Sequence, residues 1–242
     1  MTLSGLDPVF AGLLLATLAG LSVPLGATLA RLEHLKSRQL DIEVQHTVMA
    51  FGGGALFSAI ALVLVPEAAD RTPGAIVIAC FMAGGVVFLV VDRALARRGG
   101  KAAQFLAMML DYLPEAMALG ALVTADPAAA LLTAVLMALQ NLPEGFGAWR
   151  EMTDDHRAGK RHLFLLFALM VPLGPAAAAV GLFVLDDKPA ILGATMAFAA
   201  GGILYILFQD VAPGAHQDRA YRPAFGAVLG FGLGLAGHLM LG

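Results

Sequence analysis

Residues 105–149 read FLAMMLDYLPEAMALGALVTADPAAALLTAVLMALQNLPEGFGAW. The stretch holds two strongly apolar segments of membrane-spanning length, each with a polar cluster in its middle. The first cluster is Asp111-Tyr112-Leu113-Pro114-Glu115-Ala116, the second Gln140-Asn141-Leu142-Pro143-Glu144-Gly145. Both run polar-polar-Leu-Pro-Glu-small, and a displacement of 29 residues superimposes them. Charged groups inside apolar helices are costly, so a matched pair of such motifs points to function.

Working outward, the whole chain is apolar. Of its 242 residues 59% are hydrophobic and 14% charged, against roughly 25% charged in soluble domains. The reading is an all-α polytopic membrane protein forming one transmembrane domain, with the lipid bilayer as its first partner. A net charge of −3 is too small to suggest a partner, and no run of Lys and Arg suggests nucleic acid, so none is expected. The single cysteine, Cys80, excludes an intrachain disulfide and any multi-cysteine metal site. The apolar run after Met1–Pro8 has no basic segment before it and exceeds a signal-peptide core, so it is expected to be a retained first span.

Apolar runs of about 20 residues cross a bilayer as helices. Eight are expected, at about 8–32, 44–68, 73–95, 103–125, 127–150, 162–185, 190–212 and 222–241. Thirteen of the fifteen basic residues fall in the loops after the odd-numbered spans, and only Arg71 and Lys188 fall on the other side. The positive-inside rule then makes those loops cytoplasmic and puts both termini outside, in a multi-pass protein of a cell inner membrane.

An internal repeat accompanies this topology. Val23-Pro24-Leu25-Gly26 in the first span returns as Val171-Pro172-Leu173-Gly174 in the sixth. Phe51, Gly54, Pro66 and Ala68 of the second span return as Phe198, Gly201, Pro213 and Ala215 of the seventh, 147 residues on. Spans 1–3 therefore match spans 6–8 around a central pair. The displacement of five spans, an odd number, inverts one copy relative to the other. Inverted repeats with interrupted helices are typical of transporters. Small residues such as Gly52, Gly53, Gly54, Gly230, Gly232 and Gly234 suit close helix packing.

Pro114 and Pro143 each remove a backbone donor and crowd the carbonyl four residues back, so both central helices are expected to kink. At about 1.5 Å per residue, Asp111 lies roughly 12 Å and Glu115 roughly 18 Å from the cytoplasmic start of span 4. By the same measure Gln140 and Glu144 lie roughly 15 Å and 9 Å from the cytoplasmic end of span 5. In antiparallel helices Asp111 comes level with Glu144, and Glu115 with Gln140. Each pair on one helix is spaced i, i+4 and shares a face. The expectation is a box of oxygen ligands near the midplane. No Lys or Arg lies beside it. Three carboxylates cannot all stay ionised in a dry site, so protons or a divalent cation must compensate.

With DYLPEA and NLPEG in spans 4 and 5 of eight, and Pro66-Glu67-Ala68 ending span 2, the chain resembles the ZIP family of divalent metal transporters, especially its bacterial GufA-like branch. The resemblance covers essentially the whole chain. It implies a two-metal site formed by spans 4 and 5 with help from span 6, and Zn²⁺, Fe²⁺ or Mn²⁺ as the transported ion, with Cd²⁺ as a mimic. Two places depart from the family pattern: Asp111-Tyr112 stands where the family has His-Asn, and Val171 where a Glu often precedes Pro-Leu-Gly. Gln140 fits the GufA-like pattern, and Asn141 stands where an Asp or Asn is usual. One metal is therefore expected, on Asp111, Glu115, Gln140, Asn141 and Glu144. An oxygen-only shell biases the site toward harder ions such as Mn²⁺.

Glu67 and Asp70 are entrance candidates, and Asp210 and His216, with Asp218, are exit candidates. His156 with Asp154 and Asp155 forms a further loop cluster, while His34, His46 and His162 read as loop residues and His238 as a packed or interfacial one. The expected function is passage of a divalent cation toward the cytoplasm, by a protein that is not an enzyme and for which a homodimer is admissible. No P-loop motif for ATP is present. The alternatives are a transport-inactive family member that senses metal or binds a partner, and an intramembrane hydrolase using paired carboxylates. The second lacks an obvious nucleophile.

Overall fold

The computed structural model describes residues 7–32, 38–98, 101–154, 160–185, 187–216 and 221–241; the side chains of 38–41, 98, 101–107, 111, 151, 154, 160–162 and 241 lie outside that description. Among the described residues the chain is helical and has no strand. The helices are α1 (Pro8–Leu32), α2 (Arg38–Ala59), α3 (Val65–Arg71), α4 (Gly74–Arg98), α5 (Lys101–Ala125), α6 (Pro127–Asp154), α7 (Lys160–Val180), α8 (Pro189–Ile206), α9 (Ala212–Ala215) and α10 (Arg222–Leu241). Seven stretches are long and apolar enough to cross a membrane: Pro8–Leu32, Ile42–Arg71, Gly74–Arg97, Pro127–Arg150, Leu163–Leu185, Pro189–Ala215 and Arg222–Met240. The remaining expected span coincides with α5, which is 25 residues long. The chain is an all-helical, multi-pass membrane protein.

Local chemistry explains the helix ends. Asp7 Oδ1 accepts the Phe10 amide at 3.1 Å and caps α1, with Pro8 in the first helical position. Asp126 is the single residue between α5 and α6. Its Oδ1 accepts the amides of Ala128 and Ala129, each at 3.0 Å, and Pro127 follows it. Proline there lacks an amide that would have no partner, and the aspartate satisfies two that would otherwise be orphaned. The link turns α5 and α6 into a tight antiparallel pair.

Both central helices stay α-helical through Pro114 and Pro143. The irregular helical geometry lies elsewhere. A π turn at Ile60–Leu64 joins α2 to α3, and another at Leu207–Val211 joins α8 to α9. Each precedes a proline, Pro66 or Pro213, and contains the carbonyl four residues before it. A widened turn accommodates the ring that would otherwise clash there. A third π turn, Gly181–Leu185, extends α7.

The helices pack as two groups. The first is α1, α5, α6 and α7; the second is α2 with α3, α4, α8 and α10. α2 touching α6 is the main contact between the groups. Within the second group the helix pairs meet through glycine. A Cβ at Gly54 would collide with Ala227 O, and one at Gly230 with Phe51 O, across α2 and α10. Gly84 and Gly201 face Phe198 O and Phe81 O in the same way across α4 and α8. Backbones this close gain dispersion that lipid-facing surfaces lack. α4 and α10 expose most of their remaining surface, including Ile78, Met82, Phe225 and Val228.

Candidate functional site

The α5–α6 pair brings the two polar motifs together inside the first group. Glu115 is 1% exposed, Gln140 3% and Asn141 1%, among the few polar side chains buried in the protein. Gln140 Nε2 donates to Glu115 Oε2. Asn141 Nδ2 donates to Ala19 O of α1 at 3.4 Å. Both amides thus turn their nitrogens toward oxygens, and the reverse orientation would set oxygen against oxygen. Among the described residues, Gln140 Oε1 and Asn141 Oδ1 are buried and accept no hydrogen bond. A buried acceptor without a donor costs about 1–3 kcal/mol, so the Gln140 oxygen, on the side chain that touches the Glu115 carboxylate, marks a place where something positive or proton-donating belongs.

Tyr112 and Asn141 occupy equivalent positions in the two motifs, and both reach α1. The Tyr112 hydroxyl donates to Ala16 O at 3.4 Å, one turn from Ala19. Ser22, also buried, donates its hydroxyl to Ala19 O. The tip of the Tyr112 ring fits because two helices carry glycine there. A Cβ at Gly20 of α1 or Gly174 of α7 would collide with the phenol oxygen. α1 and α6 run in direct contact beside the site, with Gly26 facing Leu142 O and Gly145 facing Val23 O. Gly52 of α2 backs the other side, where an added Cβ would stand 2.9 Å from the Pro143 ring.

Of the expected box, Glu115 and Gln140 are therefore in contact, while the Asn141 amide turns to Ala19 of α1. Glu144 is half-buried, one turn further along α6. Asp111 lies in α5, but its side chain is outside the described residues. Among the described residues no three His, Cys, Asp or Glu side chains gather as a metal-holding group.

The secondary candidates are dispersed. Glu67 is ion-paired with Arg71, and Asp70 is exposed beside it. Asp210 is exposed within the π turn at Leu207–Val211, and His216 is exposed just after α9. His34, Asp155, His156 and Asp218 lie outside the described residues, as do the side chains of Asp154 and His162. His238 is half-buried in α10. His46 is not a loop residue: it sits inside α2, half-buried, and its Nδ1 lies 2.7 Å from Gly214 O. A carbonyl can only accept, so Nδ1 carries the proton. The sequence reading missed this because the partner is 168 residues away. It also missed the Glu67–Arg71 pair, although the i, i+4 spacing of opposite charges was there to be read.

A scan of the chain against models of known protein families finds no match, and a search among curated proteins finds none either.

Proposed function

We propose that this membrane protein is a ZIP-like transporter that passes a divalent metal cation toward the cytoplasm through the α5–α6 centre. The observation that carries the reading is the buried Gln140 amide oxygen that accepts no hydrogen bond among the described residues, on the side chain that touches the buried Glu115 carboxylate. An amide oxygen and a carboxylate together suit a hard or borderline divalent ion. In this reading Asp111 and Glu144 complete the shell, one from each helix. Mn²⁺, Zn²⁺ and Fe²⁺ are the candidate substrates, with Cd²⁺ as their mimic.

Eight spans and an inverted repeat belong to the same proposal. Three features support them. The π turns at Ile60–Leu64 and Leu207–Val211 are 147 residues apart, the displacement of the sequence repeat. The glycine contacts correspond as well: Gly54 on Ala227 and Gly230 on Phe51 mirror Gly201 on Phe81 and Gly84 on Phe198. In each case a span of one repeat packs against a span of the other. The basic-residue asymmetry supports a cytoplasmic side at the odd-to-even loops. A single metal is supported by Tyr112, whose phenol fills the space between Gly20 and Gly174.

The test is uptake into liposomes containing the purified protein, with Mn²⁺, Zn²⁺ and Fe²⁺ offered outside. Uptake that is lost in Glu115→Gln supports the proposal. A parent protein that binds metal but moves none would favour a metal-sensing role.

A further inference from the structure

The outer end of the α2–α3 span carries a charge arrangement of its own. Glu67 and Arg71 stand one turn apart, each side chain 16% exposed, and form an ion pair. Arg71 Nη1 also donates to Glu67 O at 3.2 Å, so one guanidinium engages two oxygens of the same residue. Asp126, the half-buried link between α5 and α6, lies within electrostatic range of Glu67, as does Asp70. Asp126 is eleven residues along the central pair from Glu115, or about 16 Å at 1.5 Å per residue. Glu67 and Arg71 therefore lie toward the Asp126 end of the α5–α6 pair, on the side opposite the arginine-rich loops, where the transport reading puts the outer mouth of the path.

We infer that Arg71 is a tethered counter-cation at this mouth: it occupies the Glu67 carboxylate and competes with divalent cations that approach α5–α6 from outside. The inference rests on the transport reading and adds a determinant of affinity for the incoming ion. Arginine stays charged at every physiological pH, so its competition is permanent. The pair is partly solvated, and such pairs are weak enough to exchange. A divalent ion brings twice the charge of the guanidinium to the same carboxylate. Removing Arg71 leaves the Glu67 carboxylate without its ion-pair partner, with Asp70 and Asp126 in range, and makes the local field more negative, which concentrates cations at the mouth.

The experiment measures Mn²⁺ uptake into liposomes by the parent, Arg71→Gln, Arg71→Lys, and the double variant Glu67→Gln with Arg71→Gln. Each variant is first checked for a monodisperse profile in detergent. Arg71→Gln should lower the half-saturating Mn²⁺ concentration about three- to fivefold, the scale of a partly exposed ion pair, with the maximal rate unchanged. Arg71→Lys, a folded control that keeps the charge, should stay near the parent. The double variant should return to the parental value or above it, because the carboxylate that Arg71 released is gone. An unchanged half-saturation in Arg71→Gln overturns the inference while leaving transport intact. A double variant as sensitive as Arg71→Gln overturns it too, since the effect would not pass through Glu67. A parent that takes up no Mn²⁺, Zn²⁺ or Fe²⁺ overturns the transport reading, and the role of Arg71 with it.

Discussion

Gln140 on α6 gives its amide nitrogen to the carboxylate of Glu115 on α5, and its own oxygen is left buried without a hydrogen bond among the described residues. The contact orients both side chains and leaves an acceptor available at the centre of the helix pair. Glu115→Gln should keep the amide contact and remove the charge. A hydrogen bond to a charged group is worth about 1.5–3 kcal/mol, and a charged metal ligand is worth at least that. Mn²⁺ affinity, measured by equilibrium binding on purified protein, should fall at least about tenfold. Unchanged affinity would remove Glu115 from the site.

In the proposed metal shell Asp111 supplies an oxygen and no imidazole nitrogen is present. Asp111→His should raise the preference for Zn²⁺ over Mn²⁺, because nitrogen ligands favour zinc more strongly. Competition between the two ions in an uptake assay reads the ratio. If the ratio is unchanged and Asp111→Ala stays fully active, Asp111 is not a ligand.

Two glycines on one helix give a paired test of the packing. Gly230 of α10 abuts Phe51 O, whereas a Cβ at Gly232 would meet nothing within 4 Å. Gly230→Ala should destabilise the protein by about 1–3 kcal/mol through forced separation of α2 and α10. Gly232→Ala should be neutral or stabilising by up to about 1 kcal/mol, the helix-propensity difference. Thermal unfolding in detergent distinguishes them. Equal shifts for the two variants would contradict the α2–α10 contact.

Sidedness is tested by thiol labelling after Cys80 is replaced by serine. A cysteine at Lys188 should react with an impermeant reagent from outside the cell, and one at Arg97 only after the membrane is opened. The same outside reactivity at both positions would rule out the proposed topology.

Much of the architecture was legible in the sequence because it is written in local terms. Apolar run lengths located the helices, whereas the caps that Asp7 and Asp126 form at two of their starts came only with the structure. The π turns at Ile60–Leu64 and Leu207–Val211, each just before a proline, were not anticipated from the sequence. The kinks expected at Pro114 and Pro143 did not replace the helix there. Proline removes a hydrogen bond wherever it sits, but whether the ladder closes around it depends on what packs alongside.

Composition and spacing determined by themselves that this chain crosses a membrane repeatedly and carries two matched polar motifs in consecutive helices. They also placed Glu115 level with Gln140, because helical rise and an antiparallel pair suffice for that. Only the tertiary structure decided that Asn141 and Tyr112 tie to the Ala19 and Ala16 carbonyls of α1, that Gly20 and Gly174 make room for the phenol, and that Gly230 rather than Gly232 meets α2. These contacts join residues more than sixty positions apart or depend on which face of a helix meets a neighbour. Hydropathy is a property of a segment and cannot distinguish among glycines on one apolar helix. Contact is a property of two surfaces, and it exists only once the helices have chosen their partners.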